Sequence, residues 1–374
     1  MDLELSEDQE FFRDTTHKFL WAGAPIQTVR SLIDDPTGFD RAAWAQGAEL
    51  GWFSMLVPEE SGGGSVSGEG VCDLAIVMEE LGRAVFPGPV LPTNLAAFAI
   101  ARSGTAEQKD AYLGSIVAGE TIGTWAFAEA NDAWNGDGVT LSATADGDGF
   151  VLNGVKRPVQ DAHVADIAVV TARTGGGLTQ FIVPSGTAGV TLKPLKALDL
   201  ARRFSEMRFD GVRLPASAVL GTVDGAGDDA NAQRNVAIAL QCAESVGVID
   251  RCYEFTLEYM FARKAFGRPI GSFQALKHRL ADMLLWLESA KAISVVASKA
   301  VQHGVDADEN ASLAQAYIGD RGPVIVRECL QLHGGIGYTW EHDLHFYMRR
   351  VESNAAMYGA PRQHLSRLAD LVGV

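Results

Sequence analysis

Three textures follow one another along the chain. In residues 1–119 apolar positions recur at helical spacing: Leu5–Phe19, Arg41–Leu50, Gly70–Leu81 and Ala106–Ala118 place them three and four apart. Ser6 followed by Gln9 suits a capping box at the start of the first segment. Pro58-Glu59-Glu60-Ser61-Gly62-Gly63-Gly64 predicts a loop, since neither helix nor strand tolerates that run. Over residues 120–224 the period shortens. Thr121–Phe127, Thr140–Ala145, Phe150–Asn153, Ile167–Ala172, Phe181–Val183 and Met207–Phe209 are short β-branched and aromatic runs that predict strands. Asp146-Gly147-Asp148-Gly149 and Asn153-Gly154 predict hairpin turns, because glycine takes positive φ without a steric penalty. Asp224–Asp229 is a polar boundary. From about Asn231 the helical period returns, with Val246, Ile249, Tyr253, Leu257 and Met260 on one stripe and Phe273, Leu276, Leu280, Met283, Leu284 and Leu287 on another. With Ala307–Leu332 and Val351–Leu371 these predict a four-helix bundle over residues 225–374. The fold class is α+β, a β domain set between two helical ones.

Charge narrows the function. The net charge of −16 argues against non-specific binding of nucleic acid or anionic membranes. It leaves room for an anionic nucleotide held by a local patch or by backbone donors. The acidic start, MDLELSEDQEFF, lacks the basic-then-apolar order of a secretory signal. The uncharged window Ala84–Ala101 is interrupted by Pro87, Pro89, Pro92 and Thr93-Asn94, so no membrane span is expected. Cys72, Cys242, Cys252 and Cys329 form no CxxC pair, and reduced thiols in a cytoplasmic protein are expected. No His, Cys, Asp or Glu group has metal-ligand spacing, and no P-loop, Rossmann or GxSxG pattern occurs.

Four segments carry a resemblance. Arg263-Lys264-Ala265-Phe266-Gly267-Arg268-Pro269-Ile270 with Phe273-Gln274 resembles the RxxFGxPI…FQ segment of acyl-CoA dehydrogenases. Gln331-Leu332-His333-Gly334-Gly335-Ile336-Gly337-Tyr338 is similar to their QxxGGxGY segment, Pro58–Gly63 to their PEExGG loop and Asn153-Gly154-Val155-Lys156 to their NGxK hairpin. The four stand in family order over nearly the whole chain. The resemblance implies an N-terminal helical domain, a middle β-barrel-like domain and a C-terminal four-helix bundle, assembled as a dimer of dimers with itself or with a homologous subunit. It implies FAD as cofactor and α,β-desaturation of an acyl-CoA, in which a carboxylate removes an α-proton while hydride leaves the β-carbon. In the family one FAD is shared by two subunits, and the neighbour clamps its adenosine–pyrophosphate end. Arg263, Phe266, Gln274, Gln331, Gly334 and Gly335 match that clamp. A guanidinium fork suits a pyrophosphate, and small residues let a backbone approach closely.

The flavin end departs from the pattern. Ala128-Glu129-Ala130-Asn131-Asp132-Ala133-Trp134 stands where the family reads like TEPGAGSD, and Pro158 and Gln160 stand where it has Trp-x-Thr. Tyr358 occupies the commonest position of the catalytic carboxylate, and a phenol with a pKa of about 10 is a poor base at neutral pH. The second base position, 26 residues before Arg263, holds Ala237. Glu244 lies two helical turns further on, a rise of about 10 Å, and is the candidate catalytic carboxylate. Glu352 is expected to pair with Arg349, Arg350 or solvent, and His333 and His345 to be packed. Intact clamp and eroded flavin end together resemble the auxiliary subunit of a heteromeric acyl-CoA dehydrogenase, as do Asp199-Leu200-Ala201-Arg202-Arg203 and the surroundings of Glu244. The alternatives are a self-sufficient homomer using Glu244 and a non-catalytic member with a binding or structural role.

Overall fold

The capping box forms as read. Gln9 N–H donates to the Ser6 hydroxyl at 3.2 Å, and Ser6 N–H donates to Gln9 Oε1 at 3.1 Å, starting α1 (Glu7–Ala22). The computed structural model describes residues 4–23, 25–131 and 133–373. Met1–Leu3 of the acidic start and Asp132 of the eroded segment lie outside the described residues. Five helices follow α1: α2 (Pro25–Ser31), α3 (Arg41–Glu49), α4 (Gly70–Arg83), α5 (Val90–Ser103) and α6 (Ala106–Val117). The Pro58–Gly64 run holds one 3-10 turn at Glu59–Ser61 and otherwise loops. The proline-interrupted window becomes α5. Pro92 sits in its first turn, where a missing N–H costs nothing. The helix is apolar on all sides because it is buried on all sides.

The middle domain is a sheet of β1 (Gly123–Ala126), β2 (Ser142–Asp146), β3 (Gly149–Gln160), β4 (Ile167–Arg173), β5 (Leu178–Pro184), β6 (Val190–Leu195), β7 (Phe204–Pro215) and β8 (Val219–Leu220). The order is β6-β7-β3-β2-β4-β5-β8, with β1 parallel to β4. Gly147-Asp148 turns the β2–β3 hairpin as predicted. Asn153-Gly154 does not turn the chain. It lies inside β3, where the register against β7 shifts between Leu152 and Gly154, so its glycine serves a bulge. A small separate core fills this domain.

The last block is α7 (Gly227–Ala262), the hairpin β9 (Lys264–Ala265) and β10 (Arg268–Pro269), α8 (Gln274–His303), α9 (Ala307–His333), α10 (Leu344–Ala356) and α11 (Pro361–Val372). The stripe read over Val351–Leu371 is therefore broken. Tyr358 and Gly359 take φ of 58° and 112°, and the expected fourth helix becomes two, α10 and α11. One large core joins this block to the N-terminal helices. Close approach of α4 and α7 sets the position of Glu244. A Cβ on Gly82 would lie 2.0 Å from the Glu244 carbonyl oxygen, and one on Gly247 would lie 1.9 Å from that of Glu79. Among the described residues no helix is long and apolar enough to cross a membrane, and no His/Cys/Asp/Glu group could hold a metal.

Candidate functional site: an exposed arginine–glycine face and an aromatic-filled cleft

The two clamp motifs meet at one end of the helical bundle. Arg263 caps α7, its N–H donating to the Tyr259 carbonyl at 2.8 Å. His333, the last residue of α9, stacks on the ring of Tyr259 at 4.5 Å, which brings the glycine segment within one turn of Arg263. Phe266 and Gly267 turn the β9–β10 hairpin with φ of 51° and 78°, the pattern of a type I′ turn. A phenylalanine at positive φ is strained, and this one is 96% exposed. Arg263, Gln274 and Gln331 are also exposed. Gly334 takes φ 65° and ψ −143°, which side-chain-bearing residues avoid. A Cβ on Gly335 would meet nothing within 4 Å, so nothing in the chain's own packing requires glycine there. The face thus offers a guanidinium with no side-chain partner among the described residues, two side-chain amides and an open glycine backbone. That donor set suits an anionic nucleotide end.

The chain's own cleft is built differently. A cavity of about 520 Å³ lies between Phe127, Trp134, Arg234, Tyr358 and His364. Tyr358 is 5% exposed, with Trp125 stacked at 6.3 Å and Trp134 edge-on at 5.1 Å. Burial pushes its phenol above the ordinary range, so it has no proton-accepting form near neutral pH. Gln160 is buried and its amide donates to Asp161 Oδ2 at 3.2 Å. Burial pushes the Asp161 carboxyl up, and Asp161 does not line the cavity. Glu129, from the eroded segment, accepts the Thr140 and Leu141 N–H groups at 2.9 Å, the Thr140 hydroxyl, and Lys156 Nζ at 2.8 Å. The fully buried Lys156 also donates to the Phe127 carbonyl at 2.8 Å. The lysine of the NGxK segment therefore fastens the end of β1 to β3.

Ala237 and Glu244 lie on α7, both buried. Glu244 Oε1 accepts Arg350 Nη1 at 2.6 Å, and its Oε2 accepts Arg202 Nη2 and Asn354 Nδ2, the latter at 2.9 Å. Asp199 binds Arg350 Nε at 2.5 Å, and Arg202 also donates to Asn354. Burial raises the Glu244 carboxyl, and the two guanidinium groups outweigh it, holding the group below the usual glutamate range. Both oxygens are engaged, and the arrangement is that of a closed ion cluster. Sequence reading singled out Asp199–Arg203 and Glu244 separately, but their meeting with Arg350 and Asn354 had no local signal. Arg350 thus does not pair with Glu352, which pairs with Arg327 at 3.4 Å, while Arg349 donates to the Leu198 carbonyl. His333 and His345 are both packed, His345 stacked on Trp340 at 4.6 Å.

Three family models match: the acyl-CoA dehydrogenase N-terminal domain over residues 6–120, the middle domain over 126–212 and the C-terminal domain over 230–372. The acyl-CoA dehydrogenase IpdE2 of Mycolicibacterium smegmatis is 33% identical over 368 residues, which cover 97% of this chain and 98% of that one. The ChsE4-ChsE5 complex from Mycobacterium tuberculosis superposes with a TM-score of 0.90 at 27% identity, over 100% of this chain and 99% of that one. A glutaryl-CoA dehydrogenase from Mycobacterium smegmatis, solved with FADH2, gives 0.90 at 26% identity over 99% and 96%. The chain belongs to the acyl-CoA dehydrogenase family of FAD-dependent oxidoreductases.

Proposed function

We propose that this chain is one of two homologous subunits of a heteromeric acyl-CoA dehydrogenase and supplies the clamp for the adenosine–pyrophosphate end of a flavin seated in its partner. The observation that carries this is the contrast between its two half-sites. When bound, FAD supplies the hydride acceptor for α,β-desaturation of an acyl-CoA. The exposed face fits its nucleotide end: Arg263 for the pyrophosphate, Phe266, Gln274 and Gln331 around it, and Gly334-Gly335 for close backbone approach. The chain's own cleft does not fit the flavin end. Trp134 and Tyr358 pack face to edge across it, no carboxylate stands at Tyr358 or Ala237, and the hydroxyls and glycines of the family segment are absent. Exposed Phe261, Phe266 and Tyr338 give this end an apolar surface suited to a protein neighbour. The similarity to a two-chain ChsE4-ChsE5 complex supports the same reading.

A self-sufficient enzyme using Glu244 has the ion cluster against it. A base must present a free lone pair, and withdrawing Glu244 would leave Asp199 as the one carboxylate facing two buried guanidiniums. The test is purification of the chain alone and together with a co-encoded homologue. Little flavin absorbance for the lone chain, with FAD and acyl-CoA oxidation for the pair, is expected. A yellow, active lone chain would overturn the proposal.

A further inference from the structure

A second cavity, of about 580 Å³, lies between the α1–α2 corner and the last turns of α7, separate from the aromatic cleft. Trp21, Phe255, Tyr259 and Tyr347 give it aromatic walls, and His333 and His342 line it 4.8 Å apart, edge to face. The hydrogen bonds of each imidazole identify its tautomer. His333 Nδ1 lies 2.9 Å from the Cys329 carbonyl, which only accepts, so Nδ1 carries the proton and Nε2 is a bare acceptor. His342 Nδ1 accepts the Leu344 N–H at 3.2 Å, so in the neutral ring Nε2 carries the proton and is a donor. Neither Nε2 has a hydrogen-bond partner among the described residues, although His333 is 4% exposed. Burial lowers both imidazoles' affinity for protons, which keeps them neutral at pH 7.

Charge on the walls narrows the ligand further. Glu258, Glu341 and Asp343 face the cavity; Arg251 stacks over Trp21 and Phe255 at 5.1 and 5.5 Å and pairs with Glu258, and Arg30 pairs with Asp343 at 2.7 Å, which leaves Glu341 without an ion-pair partner among the described residues. The walls keep a net negative charge, which disfavours an anion, and a flat uncharged ring packs against the aromatic side chains. We propose that this cavity binds a neutral planar heterocycle carrying a hydrogen-bond donor beside an acceptor, the donor reaching His333 Nε2 and the acceptor reaching His342 Nε2–H. A ring carboxamide and the amino-pyrimidine edge of a purine share that chemistry.

Isothermal titration of the full chain, alone and with its partner, with nicotinamide and with adenine tests this. Saturable one-to-one binding of either is expected, and the one that binds identifies the source as carboxamide or purine. Methyl nicotinate, which lacks the donor, and anionic nicotinate should each bind at least about tenfold more weakly, the scale of one lost buried hydrogen bond. His333→Phe and His342→Phe keep an aromatic ring and should weaken binding to the same degree. Arg263→Ala should leave it unchanged, since Arg263 does not line this cavity. Should His333→Phe fail to fold, Trp21→Ala removes a wall from the opposite side and must also weaken binding. No saturable binding of either probe, equal binding of amide and ester, or binding that survives both histidine variants would overturn the proposal.

Discussion

A buried carboxylate must be compensated, and at Glu244 the compensation comes from Arg202 and Arg350 within the chain. Its folded pKa is below the unfolded value. The ion pairs therefore contribute fully above the ordinary glutamate pKa of about 4.3, and their contribution is lost as pH falls through the lower folded value. Glu244→Gln should destabilise the chain by about 3–5 kcal/mol at pH 7, because Asp199 is then the one carboxylate left to balance two buried guanidiniums. Urea unfolding of both proteins should show this gap narrowing in acid. The same variant should leave turnover of the assembled enzyme largely unchanged, and abolished turnover in a folded variant would restore Glu244 as base. Tyr358→Phe keeps the ring between Trp125 and Trp134, and activity of the pair should persist. A loss would place the phenol in the chemistry.

Among elements, the proposed clamp at the ends of α7 and α9 is where stability and binding should separate. Gly335 has open space in the Cβ direction and no positive φ, so Gly335→Val should leave the thermal midpoint of the lone chain unchanged. In the partnered enzyme the same change should lower FAD retention, read as flavin released on gel filtration. Equal losses of stability and flavin would show that the glycine serves the fold. Arg263→Ala should weaken FAD retention by at least about tenfold, in line with about 1.5–3 kcal/mol for a hydrogen bond to a charged group. Loss of this exposed helix-end arginine should cost the lone chain little stability. The β3 bulge makes the opposite point. Asn153-Gly154 reads locally as a turn, but pairing with β7 on both sides carries the strand through it.

On the scale of the whole molecule, the proposed role, clamping a flavin without seating one, predicts a distinct stoichiometry. A mixed tetramer should contain one FAD per two chains, against one per chain in a homomer, measured as flavin absorbance per mass of protein. One FAD per chain would mean that the Trp134–Tyr358 cleft opens to admit a flavin. The shared core of the N-terminal helices and the last block, joined where Gly82 of α4 meets the Glu244 backbone and Gly247 of α7 meets the Glu79 backbone, makes the cleft part of a continuous packed body. Such an opening would have to break aromatic packing.

Much of this was readable from residue order. The α–β–α succession follows from apolar periods, and the capping box and the β2–β3 turn each depend on a few consecutive residues. The replacement of a base by Tyr358 and of the family's Trp-x-Thr by Pro158 and Gln160 was equally visible, since a missing functional group is missing in any fold. The role of Glu244 was not readable. Its partners lie 42 and 106 residues away, at Arg202 and Arg350, and whether a carboxylate is a base or a counter-ion depends on what surrounds it in space. The split of the last helical stripe at Tyr358, the burial of Lys156 on Glu129 and the meeting of His333 with His342 are of the same kind. Each arises where separate elements pack together, because burial and electrostatic environment are properties of the assembled interior and not of neighbours along the chain.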